Sequence, residues 1–144
     1  MSTEYSVIYD AAVSRFSDYD FIPLDEAHRE DILLRHLRSA CADFNRLCKY
    51  DLLDRDDDLG VFNEDLDGTV IEILALGVAY HWCSSKVLNS ELFRNVLNTK
   101  DYSFFSPGSL LNNLRLLRDA LREEFHSRMI AYSYDNGNIA GLKV

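Results

Sequence analysis

The chain has 144 residues, with only two prolines and six glycines, and a formal net charge of −9. This length predicts one domain whose core needs no disulfide, and the scarcity of helix-breaking residues predicts a mainly α protein. The acidic excess disfavours tight or sequence-specific DNA binding, because proteins that hold DNA present a basic surface to its phosphates.

The three cysteines indicate a reducing compartment. Cys41, Cys48 and Cys83 are an odd number without a CxxC spacing, and each lies in a run that contains apolar residues. We expect free thiols that serve as small core residues, which favours synthesis in the cytosol. The acidic and polar first residues do not match a secretory signal, so none is expected.

Two amphipathic helices are predicted in the first third of the chain. Residues 3–16 place apolar side chains at helical spacing, with Ser2 or Thr3 as the N-cap. A polar run ends this helix, and Pro23 precedes the next one. Residues 25–47 carry acids in the first turn and arginines later, as the helix dipole favours. The predicted buried face of this second helix is Leu33, Leu34, Leu37, Cys41 and Phe44.

An acidic loop is predicted at 49–63, where no helical period is present. Eight acidic side chains and one basic side chain, Arg55, occur between Asp51 and Asp67. We expect charge repulsion to keep this loop exposed, with a short extended piece at 60–63. The loop is a candidate acidic contact surface, formed by Asp54, Asp56, Asp57 and Asp58.

Residues 70–88 (VIEILALGVAYHWCSSKVL) are predicted to form a helix that is buried on all sides. Only Glu72 is formally charged among the first fourteen residues, and the apolar side chains surround the helix axis. The segment is too short and too often interrupted to cross a bilayer. We therefore expect the central helix of a helical core, with Trp82 inside it.

Both ends of this central helix carry local signals. Asp67 occupies the expected N-cap position. Asn89 and Ser90 are expected to interrupt or recap the helix before a short helical piece at 91–97.

The clearest helix start in the chain is Ser106 as N-cap with Pro107 at the first helical position. Apolar residues then recur in a near-heptad rhythm, and the other face is charged, which predicts a long helix at 107–132. At about 1.5 Å per residue this helix would extend roughly 38 Å. Because this is long for one small domain, we expect the far end to project.

Residues 133–144 (SYDNGNIAGLKV) are predicted to form a separate C-terminal arm. The segment contains an Asn-Gly turn signal and apolar residues that cannot form a core alone, so we expect ordering on a neighbouring subunit. The predicted organisation is a helical domain at 1–132 and an arm at 133–144. The fold class is mainly α: a helical bundle around a buried central helix, with a long C-terminal helix, short extended segments and an extended C-terminal arm.

Metal binding has only weak candidates. Asp54, Asp56 and Asp58 fall at positions 1, 3 and 5 of an EF-hand-like loop, and Asp65 falls at position 12. Position 6 is Leu59, where the EF-hand turn needs glycine. We therefore expect no metal and no cofactor.

No catalytic constellation is visible in the sequence. The four histidines are scattered, and His81 beside Trp82 is expected to be a hydrogen-bonded core histidine. Neither a GxSxG serine nor a glycine-rich phosphate loop occurs, and a cysteine nucleophile would need a histidine brought close by the fold. The expected class is a protein without enzymatic activity.

Four blocks of sequence carry a resemblance to a known family. They are DLLDRDDDLGVFNEDL at 51–66, EILALGVAYHW at 72–82, NVLNTKDYSFFSPGSLLNNLRLLRDAL at 95–121 and IAYSY at 130–134. In this order and spacing they span nearly the whole chain. The succession resembles the head–tail connector proteins, also called adaptor or neck proteins, of tailed bacteriophages.

The resemblance implies a structural virion protein that assembles in the host cytoplasm and occupies the neck of the particle. Helical subunits would form a ring beneath the portal protein, with twelve as the expected number, and link it to a downstream neck or tail protein. DNA would pass through the channel without specific binding, and no membrane partner is expected. The family commonly attaches to the portal by a C-terminal segment, which implies a portal or subunit interface at Tyr132, Tyr134, Ile139, Leu142 and Val144.

The residues leave a second interpretation open, a soluble acidic helical interaction or regulatory protein that binds a basic partner. It explains the charge but gives no role to the long helix and the apolar arm. In the ring interpretation the acidic loop could face the bases of the long helix on the next subunit. An enzyme or a metal protein is the weakest interpretation, because the sequence shows no set of catalytic or metal-binding residues at a suitable spacing.

Overall fold

The computed structural model describes residues 2–15, 26–97 and 108–135. In chain order these ranges contain β1 (Thr3–Glu4), α1 (Tyr5–Val13), α2 (Glu26–Phe44), β2 (Arg55–Asp56), β3 (Val61–Phe62), α3 (Gly68–Leu97) and α4 (Gly108–Asp135). The protein is therefore mainly helical with one small sheet, which confirms the predicted fold class. The arm predicted beyond residue 135 lies outside the described residues.

α3 is the buried centre of the fold, as predicted. The helices α1, α2 and α4 all pack against it. Up to Val87 its buried apolar side chains surround the helix axis, and this burial is the main stabilising term of the fold. Trp82 is 2% exposed, which confirms its predicted place in the core. The buried hydrophobic residues of α3 are Val70, Ile73, Leu74, Ala75, Leu76, Val78, Ala79, Trp82, Cys83 and Val87.

The start of α3 was predicted correctly and its end was not. The backbone N–H of Val70 donates to Oδ1 of Asp67 at 2.9 Å, so Asp67 is the N-cap. The helix then runs through Asn89 and Ser90 to Leu97 without the expected interruption. In a helix interior Asn and Ser each cost at most about 0.7 kcal/mol relative to Ala, which is too little to end a helix that has already formed.

Gly77 lies where α2 and α4 both contact α3. A Cβ at this position would lie 2.6 Å from the Cβ of Ala40 in α2 and 2.8 Å from Cζ of Phe125 in α4. Only a residue without a side chain leaves room for both neighbours. Gly77 therefore sets the distance at which α2 and α4 pack on α3.

The N-terminus joins the sheet before it becomes helical. α1 begins at Tyr5, two residues later than predicted, because Thr3 and Glu4 pair with β3. Glu4 occupies the N-cap position without a side-chain cap, so the predicted Ser2 or Thr3 cap is wrong. The Thr3 hydroxyl instead donates to the carbonyl of Glu64 and accepts from the N–H of Leu66.

The sheet has the strand order β1-β3-β2, with both pairs antiparallel. Phe62 faces Thr3 on one side and Arg55 on the other. The predicted extended piece at 60–63 is confirmed as β3. The pairing of β3 with β1 was not predicted, because it joins residues nearly sixty positions apart in the sequence.

α2 ends at Phe44, three residues before the predicted end. The chain turns there, and Oδ1 of Asn45 accepts from the N–H of Leu52 at 2.9 Å. This bond spans seven residues and therefore closes the turn that follows α2. Asn45 thus directs the chain from α2 towards the sheet.

α4 covers α3 along a buried stripe of Leu114, Leu121, Phe125, Met129 and Tyr132. The predicted start signal at Ser106 and Pro107 lies outside the described residues. The predicted projection of the far end is wrong, because the last turns pack on the core: the rings of Phe44 and Tyr132 are 5.2 Å apart between centroids. The helix continues to Asp135 and Ser133 is 1% exposed, so the first three residues of the predicted arm are helical.

Candidate functional site

The predicted acidic loop is organised around Asp57, in the turn of the β2–β3 hairpin (residues 55–62). The Tyr5 hydroxyl donates to Oδ1 of Asp57 at 2.6 Å, and Nη2 of Arg38 donates to Oδ2 at 2.8 Å. Nε of Arg55 adds a third contact, to Oδ1 at 3.2 Å. Tyr5 belongs to α1 and Arg38 to α2, so one carboxylate fastens the hairpin to both helices. The expectation of a loop held open by repulsion is therefore wrong at Asp57.

The same contacts determine the protonation states of Asp57 and Tyr5. The hydrogen bond from Tyr5, followed by the bonds and charges of Arg38 and Arg55, lowers the pKa of Asp57, although burial opposes the shift. Burial raises the pKa of Tyr5, and the bond to the carboxylate raises it further. At neutral pH Asp57 is therefore ionised and Tyr5 is the proton donor.

The four EF-hand-like candidates do not form a metal site. Oδ1 of Asp56 accepts from the N–H groups of Asp58 and Leu59, and Oδ1 of Asp54 accepts from Nδ2 of Asn63. These bonds shape the hairpin turn, and Asp65 lies outside it. Within residues 2–15, 26–97 and 108–135, no three His, Cys, Asp or Glu side chains are grouped so that they could hold a metal ion.

An acidic groove with a cavity volume of about 590 Å³ lies between the start of α1, the first half of α2 and the hairpin. Its walls include the rings of Tyr5 and Tyr9 and the exposed side chain of Leu59. Burial raises the pKa of Tyr9, and the negative charges of Glu30 and Asp57 raise it further because they disfavour the tyrosinate anion. Among the described residues that line the groove, none is basic and five are acidic: Glu4, Glu30, Asp31, Asp57 and Asp58.

His81 lies at the edge of the core, and two of the three cysteines lie inside it. Nε2 of His81 lies 2.7 Å from Oδ2 of Asp43, which confirms the predicted hydrogen bond, although the His81 side chain is 24% exposed. Cys41, Cys48 and Cys83 are free, and the first and last of them are buried, as predicted. Burial raises the pKa of Cys41 and of Cys83 to about 12, so these thiols stay protonated and are poor nucleophiles.

The predicted interface residues separate into two groups. Tyr132 is 3% exposed and belongs to the core of its own chain, so its assignment to an interface is corrected. Its position on the buried stripe of α4, one turn after Met129, explains the difference. Tyr134 is 63% exposed, on the opposite side of the helix, so it remains available for a contact with another chain.

The remaining predicted contacts, Ile139, Leu142 and Val144, lie outside the described residues.

Two residues of the Asp57 network were missed by reasoning on the sequence. Tyr5 was assigned to the apolar stripe of the first helix, and Arg38 to the helix dipole of the second. Neither carries a local signal that points to Asp57, because the contacts span 52 and 19 positions. The only available hint was a group of carboxylates that needed positive or hydrogen-bonding partners from elsewhere.

Comparisons with protein-family models, with curated proteins and with solved structures find no match to this chain. Among the described helices, none is long and apolar enough to cross a membrane. The functional argument therefore rests on the residues and on the geometry of the site.

Proposed function

We propose that this chain is a structural protein of a tailed-phage virion, a head–tail connector without enzymatic activity. In this role its subunits form a ring beneath the portal protein, with twelve as the expected number, and link the portal to a neck or tail protein. The proposal starts from the resemblance carried by the four sequence blocks. One structural observation supports it most directly, an exposed apolar surface at the end of α4.

This surface, which we call the α4 end patch, consists of Ile130 and Tyr134. They are one helical turn apart and are 53% and 63% exposed. Exposed large apolar side chains that share one face are typical of protein–protein contacts. The apolar residues of the following segment, Ile139, Leu142 and Val144, come within ten residues of the patch along the chain.

We therefore assign the portal or neighbouring-subunit contact to Tyr134, Ile139, Leu142 and Val144, with Ile130 in the place first given to Tyr132. Tyr132 holds the α4 end patch in place, because its ring packs against Phe44 and keeps the last turns of α4 on the core. The neck of the virion is the location that follows from this role, after assembly in the host cytoplasm.

The charge of the protein is compatible with a channel for DNA. The groove beside the hairpin is lined by five carboxylates, and the chain has a net charge of −9. A negative surface repels the phosphates of DNA and does not hold them. Such a ring would let DNA pass without specific binding.

The test is the mass of the full chain in solution, measured by light scattering alone and after mixing with the portal protein of the same phage. A closed ring, or a monomer that assembles on the portal, supports the connector. A monomer that stays a monomer with the portal present overturns the proposal.

A second candidate function is a regulator that binds a basic partner, and the acidic groove favours it. A lysine- or arginine-rich peptide would find the carboxylates and aromatic walls of the groove there, with Asp31 and Asp57 already paired to arginines of the chain. Titration with such a peptide at low and high salt tests this function. We expect the double variant Glu30→Gln, Asp31→Asn to bind the peptide more weakly than wild type. If the protein is a regulator of this kind, it should also fail to bind the portal protein.

A further inference from the structure

A second pocket lies between α2 and the second half of α3, and it shares no described lining residue with the acidic groove. We call it the α2–α3 pocket; its cavity volume is about 200 Å³. Trp82 contributes an aromatic wall, and the polar lining residues are Arg35, His36, Ser85, Lys86 and Asn89. Each of these five side chains can donate a hydrogen bond. No carboxylate is among the described lining residues, although the chain has more acidic than basic residues.

Lys86 is one of the two cationic residues that line this pocket. Its ammonium lies 5.8 Å from the centroid of the Trp82 ring, and burial lowers the pKa of Lys86. In the described part of the chain no carboxylate lies within ion-pair distance of it. Lys49 provides a contrast, because it lies 5.1 Å from the ring centroid of Tyr50 and also pairs with Asp67 at 3.5 Å.

The other donors supplement this charge. Nη2 of Arg35 pairs with Asp31 at 3.0 Å, and the guanidinium has further N–H groups. Burial, together with the charges of His81 and Arg35, lowers the pKa of His36 to about 4. His36 is therefore neutral at neutral pH and supplies a ring N–H without adding charge. Ser85 and Asn89 contribute a hydroxyl and an amide from α3.

We propose that the α2–α3 pocket binds a phosphate group, with Lys86 and Arg35 as its cationic contacts. Phosphate presents several acceptor oxygens and a negative charge in a small volume, which matches a pocket whose described polar side chains can all donate a hydrogen bond. A bound anion gives the half-buried Lys86 a charged partner, and the Trp82 ring limits access of water to that pair. This proposal is independent of the connector function.

Trp82 is the only tryptophan in the chain, so its fluorescence reports on the pocket directly. The full chain is titrated with sodium phosphate at neutral pH, with sodium chloride added to keep the ionic strength constant. We expect a saturable change in fluorescence. Glycerol 3-phosphate is titrated in parallel: a saturable response to it assigns the pocket to phosphate esters, and a response to inorganic phosphate alone assigns it to the free ion.

The decisive variant is Lys86→Met, which keeps an apolar side chain of similar length and removes the charge. We expect its affinity for phosphate to fall about tenfold or more, while Lys86→Arg retains binding. The matched control is Lys49→Met, which removes another lysine that lies over an aromatic ring and should leave the affinity unchanged. Ser85→Ala is a second variant that leaves the charge in place and should weaken binding about twofold to tenfold.

Circular dichroism melts show that each variant is folded before it is titrated. An unsaturable or absent response of the wild-type chain overturns the proposal. Equal affinities of wild type and Lys86→Met would overturn it as well, since the response would then come from another part of the surface.

Discussion

Tyr5 and Asp57 are 52 positions apart in the chain, and the Tyr5 hydroxyl lies 2.6 Å from Oδ1 of Asp57. The same tyrosine donates its backbone N–H to the carbonyl of Gly60 at 2.8 Å and packs its ring on Phe62 at 5.0 Å between centroids. The first residue of α1 is therefore the attachment point of the hairpin. Arg38 of α2 completes the attachment from the other side of the carboxylate.

Asp57→Asn should destabilise the fold, because it removes the charge that Arg38 and Arg55 stabilise. Asp57 remains 28% exposed and Arg38 about half exposed, so water screens the pair and we expect a loss of about 1–2 kcal/mol in the free energy of unfolding. Urea unfolding measures this loss. Asp58→Asn is the matched control, since Asp58 is exposed and should change stability by less than about 0.5 kcal/mol. Equal effects of the two substitutions would contradict the role of Asp57.

The stabilising effect of Asp57 should also depend on pH. The folded-state pKa of Asp57 is lowered from its usual value of about 3.9. Its contribution is therefore complete above that pH and is lost as the pH falls through the lower folded-state pKa. We expect the stability difference between wild type and Asp57→Asn to be largest at neutral pH and to shrink below about pH 4. A difference that stays constant down to strongly acid pH would show that Asp57 acts through its shape and not its charge.

Gly77→Ala should destabilise the three-helix contact. The new methyl would lie 2.6 Å from the Cβ of Ala40 and 2.8 Å from the ring of Phe125, and overpacking of this kind typically costs about 1–3 kcal/mol. Gly68→Ala is the matched control: nothing lies within 4 Å of its Cβ, so stability should stay the same or rise by up to about 1 kcal/mol. Thermal unfolding compares the two variants. A stable Gly77→Ala protein would show that α2 and α4 can move apart at no cost.

The helices could be predicted from the sequence because their signals are local. The all-round apolar pattern after Asp67 predicts a buried helix, and α3 is one. The errors occur where a tertiary contact decides the outcome. Thr3 joins a sheet because β3 is available to pair with it, and the end of α4 stays on the core because Tyr132 meets Phe44.

The cysteines should differ in their reactivity towards a thiol reagent. With a pKa of about 12, Cys41 and Cys83 are almost entirely protonated at pH of about 8, and both are buried. Cys48 is only partly buried, so it should react first in the native protein. Ellman's reagent counts the thiols: we expect one slow equivalent in the folded chain and three after unfolding in urea. Fast modification of all three in the native state would contradict the burial of α2 and α3.

The candidate site was less predictable than the fold, for a physical reason. The carboxylates at 54–58 are visible in the sequence, but their partners depend on which helices the hairpin contacts. Tyr5 and Arg38 become neighbours of Asp57 only after α1, α2 and the sheet have packed together. The α2–α3 pocket arises in the same way, since Arg35 and Lys86 line it from two different helices and share no motif.

The α4 end patch gives the sharpest test of the connector at the level of residues. Ile130→Ser combined with Tyr134→Ser removes the two exposed apolar side chains, and both positions are more than half exposed. The free energy of unfolding should therefore stay within about 1 kcal/mol of wild type. Co-assembly with the portal, measured as the mass of the mixture by light scattering, should be lost or strongly weakened.

Two controls separate this effect from misfolding and from a general loss of surface apolarity. Leu88→Ser removes a side chain that is 55% exposed on α3 and should leave co-assembly unchanged. Tyr132→Ala should instead lower the free energy of unfolding by about 3–5 kcal/mol, because that side chain is buried against Phe44.

Removal of residues 136–144, which keeps the buried Ser133 and all of α4, should reproduce the loss of portal binding seen in the double variant. If the double variant and the truncated chain both assemble with the portal like wild type, the contact lies elsewhere and the α4 end patch has no part in it.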